Sequence, residues 1–272
     1  MRMFDRFPLR YVVPNAVTCT SVVFGLASIR MSFMATGAQE FRLAAWFILY
    51  AVLLDKVDGA VARKLRASSE FGVQLDSFSD FVTFGLAPAA LITSLVPWAL
   101  PDPWARGPHQ SLLLGLGALY AVSAALRLAK FNITTSTNDP RFFLGLPSTS
   151  SGGILASAFL AHQELGLARE LLAGMAVLMA LNAVLMISNL PQPKLALSKN
   201  KAVFAFQAAV VASVYVLIPM HRAPAYLFTL AATYTIGGFV YGVLSARQGG
   251  DVDEDDEGDE DDDELAHGHG LR

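Results

Sequence analysis

The chain is predicted to be all-α, a polytopic bundle of transmembrane helices, and three observations carry that prediction. Of 272 residues, 54% are hydrophobic and only 16% charged, against roughly 25% charged in ordinary soluble domains. The apolar residues come in continuous runs rather than alternating with polar ones, which favours helices over a membrane barrel. The acids are unevenly placed: twelve of the 23 Asp and Glu lie between Asp251 and Glu264, leaving 19 basic against 11 acidic residues in 1–250. A basic, apolar body with a detached acidic segment argues against a cytosolic enzyme. The single cysteine, Cys19, argues against a disulfide-stapled secreted domain.

A spanning helix needs about 20 mostly apolar residues. The first stretch, Asn15–Met34, follows Arg2, Arg6 and Arg10 as a signal peptide would. It is longer than a signal core and has no convincing cleavage site, so it is expected to be a retained first helix. Leu43–Arg63 and Val73–Val96 come next, and the short link Leu65–Phe71 makes them antiparallel neighbours. Ser111–Phe131 is the fourth. Thr149–His162 and Leu171–Ile187 are short and run close together through Gln163–Glu170, as two spans or one bent hairpin. Ala202–Pro219 and Ala223–Leu244 complete a set of about eight, and at least six.

With the N-terminus inside, fourteen Lys and Arg fall on the inner side and four on the outer: Arg42, Arg106, Arg169 and Arg222. That asymmetry puts both termini of a multi-pass protein in the cytoplasm, and the membrane is expected to be the inner, cytoplasmic one. Trp46, Trp98 and Trp104 lie near outer ends of spans, where an interfacial aromatic belt would stand. No internal repeat appears. Residues 1–247 read as one transmembrane domain and 248–272 as a self-repelling, disordered acidic tail. His267 and His269 belong to that tail, and His109, His162 and His221 show no ligand-like grouping. The lipid bilayer is the implied partner, and nothing points to nucleic acid.

Chemistry is concentrated in one place. Asp55, Asp58, Asp76 and Asp80 lie inside apolar helices, where a carboxylate is costly unless paired or coordinated. Asp55 and Asp58 are i, i+3 on the second helix, and Asp76 and Asp80 are i, i+4 on the third, so each pair shares a face. Converging carboxylates repel without cations. An all-oxygen set selects Mg²⁺ or Mn²⁺ over zinc, and two such ions would suit a phosphoryl-type displacement. Gly59, Ala62 and Gly72 leave room near those faces for a nucleotide or pyrophosphate, and Arg63 offers a charge for phosphate. The plainer alternative is helix glue, with the acids bridged to Lys56, Arg63, Lys64 and Arg66. At the inner end of the fourth helix, Arg127, Lys130 and Asn132 face the same compartment. They would hold a pyrophosphate or an acceptor carboxylate, or simply anchor the helix.

The run Asp55-x2-Asp58-Gly59-x2-Ala62-Arg63-x8-Gly72-x3-Asp76-x3-Asp80 resembles, at every position, the signature of the CDP-alcohol phosphotransferases. The resemblance implies transfer of a phosphatidyl or phospho-alcohol group from a CDP-linked donor to an alcohol, with release of CMP and dependence on divalent metal. It assigns Asp55, Asp58, Asp76 and Asp80 to two metal ions and makes Asp80 also the general base. It assigns Asp58, Gly59, Ala62, Arg63 and Gly72 to the CDP site. Pro14-Asn15-x2-Thr18 is similar to the family's N-terminal element, which adds Asn15 and Thr18 to that site; alternatively Asn15 caps a helix whose first turn holds Thr18.

Asp76–Pro88, Leu126–Asn132 and Phe143–Pro147 are similar to the bacterial integral-membrane phosphatidylserine synthases, a branch of that family. The likeness covers roughly residues 10–200. It implies phospholipid biosynthesis with CDP-diacylglycerol as donor, L-serine as acceptor, and Arg127, Lys130 and Asn132 at the acceptor or its phosphates. A homodimer is a candidate assembly that the sequence does not decide. The branch usually has a proline two residues after Pro147, where this chain has Thr149. Glycerol 3-phosphate, an inositol phosphate or choline are alternative acceptors. A metal-coupled transporter is a different class of reading, and it would spread acids along a path rather than confine them to two helices.

Overall fold

The computed structural model describes residues 9–64, 69–134, 142–193 and 200–253. Its helices fall on the eight predicted stretches: α1 Leu9–Phe33, α2 Ala38–Lys64, α3 Glu70–Ala99, α4 Gly107–Thr134, α5 Ser148–Glu164, α6 Arg169–Ile187, α7 Lys201–Leu217 and α8 Pro224–Asp253. The protein is an all-α, multi-pass membrane protein. By length and apolar composition, α1, α3, α4, α6 and α8 suffice to cross a bilayer. Helices α5 and α7 have only 17 residues each, and α2 carries its acids and bases inside the helix. The fifth and sixth stretches are separate helices, divided at Gly166 with φ +59°.

Packing follows the apolar faces. Helix α1 lies along both α2 and α3, α5 packs against α2 and α8, and α4 packs against α3 and α6. The core fills with Phe41, Ile48, Phe84, Leu91, Ile92, Leu95, Leu155 and Phe159, all essentially inaccessible. Outward faces stay apolar: Val23 and Leu26 on α1, Leu119 and Val122 on α4, Phe206 and Val211 on α7, Ile236 and Val240 on α8. Such a surface would aggregate in water, but lipid tails solvate it as well as the interior does.

Three features depart from the sequence reading. One tryptophan is part of the core: Trp46 is buried with its ring stacked 4.5 Å from that of His221, while Trp98 and Trp104 are half-buried, Trp98 packing on Phe41 with Arg169 over its face. A two-stranded antiparallel ribbon, β1 Phe142–Leu144 with β2 Pro191–Pro193, joins the loops before α5 and after α6. Three-residue strands with two prolines give no alternating signal to read. The ribbon ends at Gly145, whose φ of +76° only glycine adopts easily, and a Cβ there would stand 2.7 Å from the carbonyls of Met186 and Ser188. Finally, α8 runs on to Asp253, so the first residues of the segment expected to be a disordered tail are helical. Gly249 and Gly250 lower helix propensity by about 1 kcal/mol each without stopping a helix that is already propagating. The rest of the acidic segment, 254–272, lies outside the described residues, as does the link 65–68.

Helix α3 is not uniform. Ser69 caps its start by accepting from the Gly72 amide at 3.0 Å, and Glu70–Asp80 is regular α-helix. Phe81–Leu86 then widens into a π-helical stretch before Ala87–Ala99 resumes. A π turn shifts the register of backbone carbonyls and is common beside functional groups. Here Tyr120 of α4 donates to the Phe84 carbonyl at 2.9 Å, satisfying a group inside the distorted turn. On the other side α1 comes so close that a Cβ on Gly25 would lie 2.8 Å from Thr83 Oγ1. Asp80, the last residue before the π stretch, is thereby fixed from two sides.

Candidate active site

Asp55 is on α2, and Asp76 and Asp80 are one turn apart on α3. One carboxylate oxygen of each lies within 4.8 Å of the others. Three carboxylates so close and so shielded from water repel strongly unless a cation sits among them. Lys56 supplies one charge, its Nζ 3.0 Å from Asp55 Oδ2, but its side chain is 66% exposed. Arg127 supplies a second through a hydroxyl: its Nη1 donates to Ser148 Oγ at 3.1 Å, and that hydroxyl lies 3.5 Å from Asp80 Oδ2. Two single charges do not match three carboxylates. The donor set is all oxygen, which fits Mg²⁺ or Mn²⁺. Helix glue explains the site poorly, because among the described residues the ion pair at the cluster joins Asp55 only to its sequence neighbour.

Asp58 stands apart from this trio. It is buried, accepting from Thr18 Oγ1 at 3.0 Å and from the Gly59 amide at 2.6 Å. A three-residue step is about 60° around a helix, so Asp58 stays on the face it shares with Asp55 but at the side that borders α1, where Thr18 meets it. Thr18 thus meets the signature directly, and Ser79 of α3 donates back to the Thr18 carbonyl at 3.3 Å. Asn15 does not cap α1, which is already helical at Leu9 and runs through Pro14. Its amide oxygen instead faces Gly72, 3.5 Å from where a Cβ would be. Asn15, Thr18, Asp58, Gly59 and Gly72 therefore line one region beside the trio. Ala62 and Arg63 are on the last turns of α2, and their side chains lie outside the described residues.

The second predicted group divides. Arg127 is buried against the trio, with its guanidinium 5.4 Å from the Phe131 ring centroid. Lys130 donates to Asn189 Oδ1, and Asn132 donates to Ser77 Oγ at 3.0 Å, both on exposed ground. Asn132, five positions beyond Arg127, falls on a different face of α4, whereas Lys130, at i+3, neighbours Arg127 on the helix but reaches out to Asn189. Two residues were not assigned to the site from the sequence: Ser148, between Arg127 and Asp80, and Thr149, whose Oγ1 donates to Asp55 Oδ2 at 3.3 Å. The only sequence signal was their place at the start of α5, in a run unlike that of the resembled branch.

A membrane-embedded helical bundle with an intramembrane oxygen-donor cluster, flanked by glycines and a buried arginine, defines a class: integral-membrane enzymes of phosphorylated, lipid-soluble substrates. The comparisons specify it further. A family model described as CDP-alcohol phosphatidyltransferase matches residues 11–188, and the chain belongs to that family. Among curated proteins, a CDP-diacylglycerol–serine O-phosphatidyltransferase of Helicobacter pylori strain J99 is 31% identical over 187 residues, 67% of this chain and 72% of that protein. Proteins of the same name are 35% identical over 140 residues in Bacillus subtilis, covering 52% of this chain and 71% of the relative. In Methanocaldococcus jannaschii the identity is 32% over 167 residues, covering 61% and 72%.

The burial difference separates the two cations experimentally. Arg127→Met removes a buried charge bonded toward Asp80 and should lower kcat/KM by about ten- to hundredfold, the worth of a charge-assisted hydrogen bond. Lys130→Met should cost less and act on KM for one substrate. Steady-state kinetics with each substrate varied would check this, and a larger loss at Lys130 would contradict the geometry.

Proposed function

We propose that the protein transfers the phosphatidyl group of CDP-diacylglycerol to L-serine, giving phosphatidylserine and CMP. The observation that carries this is the trio Asp55, Asp76 and Asp80 within 4.8 Å, beside the Thr18–Asp58 region. Family membership and the names of the relatives support the donor and the acceptor.

Asp55, Asp58, Asp76 and Asp80 would hold two divalent ions, Mg²⁺ or Mn²⁺. When bound, these ions supply charge neutralisation for the pyrophosphate and the departing CMP. The acyl chains stay in the bilayer, and the nucleotide rests against Asn15, Thr18, Asp58, Gly59, Ala62, Arg63 and Gly72. Serine enters from the aqueous side, and Arg127 orients its carboxylate or the adjacent phosphate, with Lys130 and Asn132 at the rim. Asp80 takes the serine hydroxyl proton as that oxygen forms a bond to the phosphorus bearing diacylglycerol. The bond from that phosphorus to the CMP oxygen breaks, and CMP leaves. Ser148, shared between Arg127 and Asp80, holds the base in place. Positioning and electrostatics do most of the work, as in phosphoryl transfer generally. A second copy of the chain is a candidate partner on which none of these steps depends.

Purified protein with CDP-diacylglycerol should release CMP most strongly with serine, and weakly with glycerol 3-phosphate, inositol phosphate or choline. Asp80→Asn should fold and still bind nucleotide, yet lose about 10²–10⁴-fold in turnover, the usual worth of a general base. EDTA should silence the wild type. Stronger release with another acceptor would move the protein to a different branch. Near-normal turnover by Asp80→Asn, or in excess EDTA, would end the proposed chemistry, and substrate transport without CMP release would favour a transporter.

The orientation we propose, both termini in the cytoplasm, rests on the fourteen-to-four distribution of Lys and Arg, and the bacterial relatives support an inner membrane. In a Cys19→Ser background, Gly258→Cys should resist an impermeant thiol reagent in intact cells and react after lysis. Labelling of intact cells would reverse the topology.

A further inference from the structure

We infer that Thr149 is a positioning residue for Asp55, registering α2 against the start of α5 so that this carboxylate shares a site with Asp76 and Asp80. The inference rests on the reading of that trio as a divalent-cation site. Asp55 Oδ2 has two donors, Lys56 Nζ at 3.0 Å and Thr149 Oγ1 at 3.3 Å. They are not equivalent. Lys56 is the next residue on the same helix, on a long and largely exposed side chain, so it travels with Asp55 and registers nothing. Thr149 comes from 94 residues away, is buried, and sits in the first turn of a helix packed along α2.

Its own position is well determined. A β-branched side chain in a helix has few χ1 choices. The preceding residue, Ser148, is fully buried and held by Arg127 on one side and near Asp80 on the other. Consecutive hydroxyls at the start of α5 therefore reach the two acid-bearing helices, Ser148 toward α3 and Thr149 toward α2. The chemistry of the two donors to Asp55 also differs. An ammonium cancels the carboxylate's charge and competes with a metal ion, whereas a neutral hydroxyl fixes its orientation and leaves the charge available.

The test is a titration of the purified full-length protein in detergent with Mn²⁺, free ion being read by electron paramagnetic resonance. Thr149→Val keeps the shape and removes the hydroxyl, and Thr149→Ala does so without the branched side chain, should the valine variant not fold. Either should bind Mn²⁺ about ten- to hundredfold more weakly, as outer partners of metal ligands typically do. Thr149→Ser should restore wild-type binding, and kcat of the hydroxyl-free variants should recover when Mn²⁺ is raised. Asp76→Asn serves as the control for the site itself. If Asp76→Asn weakens binding while the hydroxyl-free variants bind like wild type, Thr149 has no positioning role and the cation site stands. If wild type and Asp76→Asn bind alike, or neither binds, the cation reading falls and this inference falls with it.

Discussion

Mutual repulsion among Asp55, Asp76 and Asp80 is the constraint around which this protein is organised. Their oxygens lie within 4.8 Å inside an apolar bundle, where solvent does little to screen them. A cluster of this kind persists only if surrounding elements hold each acid in place and something compensates the charge. Three helices contribute to the holding. Helix α1 brings Thr18 to Asp58, α4 brings Arg127, and α5 brings Ser148 and Thr149. The buried charged side chains Asp58, Asp80 and Arg127 are therefore gathered at one place, and many of the outward faces are apolar.

The same constraint accounts for the irregular backbone near the site. The π stretch Phe81–Leu86 directly follows Asp80 and is pinned by Tyr120 from α4 and by the close approach of α1 at Gly25. Small residues in α1 and α3 let those helices come together, and hydroxyl groups then bond across the contact, from Thr83 to the Ser21 carbonyl and from Ser79 to the Thr18 carbonyl. Without a hydrophobic drive between helices in lipid, close packing and such bonds hold a bundle together. Here they also set the separation of the helices that carry the acids.

The acids were legible in the sequence because charge inside an apolar span is rare, and because i, i+3 and i, i+4 spacing places a pair on one face. The spans were legible from continuous apolar length. Other parts were not. Serine and threonine occur everywhere, so nothing in the letters marked Ser148 or Thr149 as contacts of Asp80 and Asp55. The separation of Asp58 from the trio depends on how α2 is rotated against α1. The divergence of Lys130 and Asn132 from Arg127 depends on which face of α4 turns inward. The ribbon at β1 and β2 pairs residues almost fifty positions apart, and the burial of Trp46 depends on His221 in a distant loop. All of these are tertiary facts with no local pattern.

As proposed, the three-carboxylate cluster is a divalent-cation site at which the donor's pyrophosphate is held. Anomalous scattering from crystals grown with Mn²⁺ and a CDP-linked lipid tests it most directly. Metal peaks are expected among Asp55, Asp76 and Asp80, at about 2.0–2.3 Å from carboxylate oxygens as usual for hard divalent ions, with the pyrophosphate on their open side and Lys56 displaced from Asp55. A nucleotide bound with no metal at the cluster, and Lys56 still on Asp55, would contradict it.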